Sequence, residues 1–257
     1  GGSSAMACQR DVIYWYDGTF EGFLCCVFES YANREIPWDI WYYATRQSSL
    51  FPGVDVQTDM VRAQRVLKSI REKLGQRVYY MVVRGFLNGD EGKEIRLLRF
   101  LRLMYDKGPQ AAYQTGAPEV ADVVQLARAV ANEACQFKQF IRFEEREGML
   151  GAVISPKHYV LPLLRTHFCD RMPNEDFLIY DNQHYVALVR RGEDVHYTRF
   201  QGGYLMSSPE EREHTYQRLW KAFYDALAIE ARRNEKLRMQ HCPKRFWENM
   251  TELKDLA

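Results

Sequence analysis

The sequence predicts an α+β fold, with helices packed on an antiparallel β-sheet, a helix-rich N-terminal half and a β-meander in the C-terminal half. Three observations carry this expectation. Through most of residues 20–137, apolar side chains recur at three- and four-residue steps, the spacing of a single helix face. From residue 140 the pattern changes to short β-branched and aromatic runs separated by Glu-Gly, Asp-Asn-Gln and Arg-Gly-Glu-Asp turns, the signature of a meander. Beyond it, Ser208-Pro209-Glu210-Glu211 combines an N-cap, a proline at the first helical position and an acid at the third, so one more helix should open there.

Taken in order, Val12–Tyr16 reads as a strand, and Asp17-Gly18-Thr19 turns it into a helix whose apolar face is Phe20, Phe23, Leu24, Val27, Phe28 and Tyr31. Trp38–Ala44 is a second strand. Thr58 can cap a helix carrying Val61, Val66, Leu67, Ile70 and Leu74 and ending at Gly75. Val78–Leu87 suits either a buried helix or a strand. Glu91–Tyr105 is helical and stopped by Gly108-Pro109; Pro118 opens a helix reaching about Phe137, with Val120, Val123, Val124, Leu126, Ala127 and Val130 facing inward. The meander strands are Phe140–Phe143, Leu150–Ile154, Phe177–Tyr180, Tyr185–Val189 and Val195–Phe200, interrupted by a helix over His158–Asp170. The final helix, with Tyr216, Leu219, Trp220, Phe223 and Leu227 on one side, runs to about Arg233.

Residues 1–7 read as an expression scar, and 8–257 as a single α+β domain, with the change of pattern offering a subdivision into 8–138 and 139–257. No apolar run approaches the roughly 20 residues that cross a bilayer, and the six scattered cysteines contain no CxxC pair, so a cytoplasmic protein is expected. GxSxG, HExxH, dinucleotide, iron–sulfur and deaminase signatures are all missing, and no cofactor is called for.

Charge is more informative. The chain as a whole has a formal net charge of +1, yet residues 231–250 hold Arg232, Arg233, Lys236, Arg238, Lys244 and Arg245 against Glu235 and Glu248, with Phe246 and Trp247 alongside. Cations that neutralise phosphate, with rings for stacking, suit nucleic acid. On a helical projection Arg218, Lys221, Arg232 and Lys236 share one ridge, and Lys93, Arg96, Arg99 and Arg102 suggest a second; a solvated helix face explains such spacing equally well. A different cluster, His158, His167, Arg171 and Asp181, offers proton transfer or anion binding if the four converge, with Asp181 orienting an imidazole. Its bland counterpart is a docked helix with structural histidines. Metal binding is not expected, because His158 and His167 lack helical ligand spacing.

Four motifs in order also carry a resemblance: Tyr16-Asp17-Gly18-Thr19-Phe20-Glu21-Gly22-Phe23-Leu24; Pro156-x-His158-x-x-Leu161-Pro162-Leu163-Leu164-x-x-His167-Phe168-x-x-Arg171; Ile179-Tyr180-Asp181; and Arg232-x-Asn234 followed by Pro243-Lys244-Arg245-Phe246-Trp247. From about Val12 to Leu253 the chain resembles a bacterial family associated with DNA metabolism and repair, related to domains fused to uracil-DNA glycosylase-like domains and encoded beside a radical S-adenosylmethionine (SAM) protein. Cys242, Ala231 and the turn Asn182-Gln183-His184 depart from the family pattern. The resemblance implies a DNA-repair accessory role, with DNA and a radical SAM protein as partners. Two alternatives stand beside it: a metal-independent enzyme acting on a DNA lesion or nucleotide through His158, His167, Arg171 and Asp181, and a protein-interaction subunit without nucleic-acid contact.

Overall fold

The computed structural model describes residues 7–43, 49–146 and 148–199. They are α+β as expected, and fall into two compact units that divide at residues 133/134, close to the 138/139 change of sequence pattern.

The first unit opens with β1 (Cys8–Tyr16), α1 (Phe20–Ala32) and β2 (Glu35–Tyr42), followed by β3 (Gly53–Asp55). β2 and β3 both pair parallel to β1, giving the order β2-β1-β3. The centre of this sheet is β1, whose Ile13–Tyr16 are all buried, which accounts for an apolar run without alternation. The turn into α1 is held by Asp17: its Oδ1 accepts from the Thr19 N–H (2.9 Å) and hydroxyl (2.6 Å), while Thr19 Oγ1 accepts from the Gly22 N–H at 3.0 Å. The cap of α2 (Met60–Ser69) is Asp59 and not Thr58, because the Thr58 hydroxyl instead donates to Asp17 Oδ2. One π-helical turn, Ile70–Leu74, leads to Gly75 at φ 81°. Gly75 thus ends one helix and opens α3 (Gly75–Phe86), which settles Val78–Leu87 as helix with Val78, Val82, Val83 and Phe86 buried. α4 (Lys93–Lys107) stops at Gly108, and α5 (Pro118–Phe140) buries Val120, Val123, Leu126 and Val130.

The second unit holds a sheet of five strands, β4 (Glu144–Arg146), β5 (Met149–Ile154), β6 (Phe177–Asp181), β7 (Val186–Arg191) and β8 (Asp194–Arg199), in sequence order. Residue 140 still belongs to α5, so the first strand begins later than the aromatic run Phe140–Phe143 suggested. Pairing is antiparallel except at β5–β6, which is parallel. The exception follows from α6 (Leu161–Arg171), the crossover helix that a parallel connection needs. The expected helix over 208–233 lies outside the described residues.

Candidate functional site

Because β5 and β6 run parallel, their carboxyl ends meet: Ile154 is the register partner of Asp181. The chain leaves β5 through residues 155–160 and leaves β6 through the turn 182–185, and the Asn182 N–H donates to the Ile154 carbonyl at 3.0 Å. Loops at the carboxyl ends of parallel strands are where open α/β sheets gather ligands. Here they bring together Tyr159, Asp181 and His184. The rings of Tyr159 and His184 meet edge to face with centroids 5.5 Å apart.

Asp181 is fully buried and its carboxylate accepts three hydrogen bonds. Oδ1 takes the N–H groups of Gln183 (2.9 Å) and His184 (3.0 Å), and Oδ2 lies 2.6 Å from His184 Nδ1. A carboxylate only accepts, so Nδ1 carries the proton. The His184 side chain is 30% exposed, and among the described residues no group hydrogen-bonds its Nε2. Tyr185 follows at φ 57°, a conformation that a bulky side chain adopts at a cost of about 1–2 kcal/mol. The turn is therefore bent, against backbone preference, into the shape that seats His184 on Asp181. Sequence reasoning singled out Asp181 but missed His184. The available signal was Asp-x-x-His at a strand end, the spacing of a carboxylate that closes its own turn.

Of the other members of the predicted cluster, His158 shares this end of the unit and Arg171 does not. His158 is buried in the loop before α6 rather than in its first turn, since the helix starts only at Leu161. His167 lies within α6, its ring edge-on to Phe168 at 4.8 Å, with Nε2 buried and lacking a hydrogen-bond partner among the described residues. Burial first, then the charges of Lys138 and Arg171, hold its pKa below the ordinary histidine value. Arg171 closes α6, where it lines a cleft of about 550 Å³ with Glu145, Leu150 and Asn174. Leu150 is paired with Phe177, the end of β6 opposite Asp181. A crossover helix runs back along its strands, and eleven residues at 1.5 Å each carry the chain about 16 Å. His158 and Asp181 thus belong to one end of the β5-α6-β6 unit and Arg171 to the other.

Three of the four cations expected as a ridge on α4 are half-buried and hydrogen-bonded within the protein. Lys93 is half-buried, its Nζ donating to the Phe86 carbonyl (2.6 Å) and lying 4.3 Å from the Phe86 ring centroid, and desolvation lowers its pKa. Arg102 donates to Ser30 Oγ at 2.8 Å and lies over Tyr31; Arg96 donates to the carbonyls of Gly92 and Glu91. Arg99 is exposed. Other cation–ring pairs that the spacing did not announce lie on or beside α3: Arg71 over Tyr79, and Arg77 at 4.3 Å from the ring of Tyr113, itself 67% exposed. Arg218, Lys221, Arg232, Arg233, Lys236, Lys244, Arg245, Phe246 and Trp247 lie outside the described residues.

Among the described residues no group of three or more His, Cys, Asp or Glu is arranged to hold a metal ion, and no helix is long and apolar enough to cross a membrane. No curated protein and no solved structure matches the chain. Residues 91–252 match DUF4130, a domain of unknown function that takes in α4, the second unit and the basic C-terminal run, and the chain belongs to that family.

Proposed function

We propose that the chain is a DNA-repair accessory protein that binds nucleic acid and works with a radical SAM enzyme. The observation that carries this is segregation of charge: a chain of net charge +1 concentrates six cations against two acids in residues 231–250, directly beside Phe246 and Trp247. The resemblance of its ordered motifs to DNA-metabolism proteins supplies the polymer and the partner. Exposed Arg99 and the Arg77–Tyr113 pair add cation and ring surface of the kind that single strands use.

Fluorescence anisotropy with labelled single-stranded and duplex DNA, repeated across a salt series, tests the proposal. Neutralising about five phosphates gives a log K against log salt slope of about −3.5 to −4.5. Replacing Arg232, Arg233, Lys244 and Arg245 together by alanine should flatten it by about 3. Absent binding, or binding indifferent to salt, refutes nucleic-acid contact. Co-purification with the radical SAM enzyme after nuclease treatment separates a protein complex from one bridged by DNA.

A further inference from the structure

We propose that His184 is a general base for hydrolysis of a phosphodiester, with Asp181 as its positioning residue. The substrate polymer rests on the nucleic-acid reading above; the chemistry rests on the carboxyl edge of β5 and β6.

The pair has the architecture of an oriented base. Its carboxylate is wholly buried and immobilised by two backbone N–H groups, so it can hold the imidazole in one tautomer and one orientation. Another Asp–His pair in the same unit shows the contrast: His196 Nδ1 lies 2.8 Å from Asp194, whose side chain is 74% exposed and screened by solvent. The strained Tyr185 is a second mark of a shaped turn.

The surroundings select an anion. Residues 155–160 and 182–185 contain Lys157, His158 and His184 and no Asp or Glu, so the carboxylate nearest His184 along these segments is the buried Asp181. Lys157 is exposed. α6 starts here, and its N-cap residue Val160 supplies no side-chain cap, so the positive end of the helix dipole adds to the same field. A phosphodiester strand meets no carboxylate from these two segments.

In the step, Nε2 takes a proton from water while the water oxygen bonds to phosphorus. The bond from phosphorus to the leaving oxygen breaks, and the imidazolium returns the proton to that oxygen. One phosphodiester and one water become a phosphomonoester and an alcohol.

The test uses the full chain with 5′-fluorescent single-stranded and duplex oligonucleotides, scored for scission on gels and for binding by anisotropy. The wild type should cleave, and H184Q should lose at least about 100-fold in kcat while binding as the wild type does. D181N should lose kcat rather than KM, and nitrogen NMR should show the Nδ1-protonated tautomer of His184 in the wild type giving way to a mixture. H196Q should cleave normally. Binding without scission by the wild type, or H184Q cleaving at the wild-type rate, overturns the proposal alone. Absent binding overturns the nucleic-acid reading with it.

Discussion

Replacing Gly22 by alanine sets two effects of opposite sign against each other. Gly22 is a buried residue in the first turn of α1, and in an ordinary helix the change would stabilise by about 1 kcal/mol. Here an added Cβ would overlap Asp17 Oδ1 and stand 3.1 Å from Thr19 Oγ1. A side-chain oxygen usually moves aside cheaply, but this one is tied from three directions: Oδ1 accepts from the Thr19 N–H and hydroxyl, and Oδ2 accepts from the Thr58 hydroxyl. Displacing Oδ1 sacrifices two hydrogen bonds to a charged group, each worth about 1.5–3 kcal/mol. Taking the low end for a half-buried site and subtracting the helix gain, G22A should destabilise by about 2 kcal/mol, or roughly 4–8 °C in Tm for a chain of this size. The decisive measurement is a double-mutant cycle by urea denaturation. In a D17A background the obstacle is gone, so G22A should become stabilising by up to about 1 kcal/mol. If G22A has the same sign in both backgrounds, the steric account of this turn is wrong.

Other side chains give sharper local tests. Arg190 donates to the carbonyls of Cys169, Met172 and Pro173 at the end of α6, and also to that of Gly192. R190A should cost about 2–3 kcal/mol in thermal denaturation, and R190K should not rescue it, since an ammonium does not reproduce the planar fork. His167 has a folded pKa below the ordinary 6.5, so the unfolded chain binds the proton more readily. Its contribution to stability is complete above about pH 6.5 and is lost as pH falls towards the folded value; H167Q should flatten the pH dependence of the urea midpoint in that window. K93M should leave nucleic-acid affinity unchanged, because Lys93 is spent on Phe86, whereas R99A should reduce the magnitude of the salt slope by roughly 1 if Arg99 meets phosphate.

Helices with one apolar face were the most legible elements. α1 and α5 form where their periodicity places them, and four of the six inward residues of α5 named from spacing, Val120, Val123, Leu126 and Val130, are buried, while Val124 and Ala127 are half-buried. What spacing does not encode is which strand pairs with which. Val12–Tyr16 announced a strand, and its lack of alternation was the trace of burial on both sides, but nothing local says that β2 and β3 flank it in parallel. β3, only Gly53–Asp55, is too short to show a period at all. The candidate site divides along the same line. Asp181 was recognisable as a carboxylate at a strand end, whereas grouping it with Arg171 assumed a convergence that the crossover helix forbids. His184 was hidden because a turn histidine has no periodic signature, and its meaning comes from a bond to a residue three positions earlier. Lys93 misled in the opposite way: a helical projection places it on a cationic flank, and only the Phe86 carbonyl reveals that its ammonium is already engaged.

The parallel placement of β1 also bears on how the chain reaches its native state. β1 is synthesised before either of its partners, and Tyr14 must wait for Val54 before its second edge is covered. Pairing across that sequence distance requires closing a long loop, while the β6-β7-β8 hairpins join neighbours and can form locally. On a ribosome, β1 would keep one edge of unpaired backbone groups until β3 emerges, a natural handle for a chaperone. Refolding of the first unit should accordingly be the slower phase, and the one that extra residues inserted between β2 and β3 retard further.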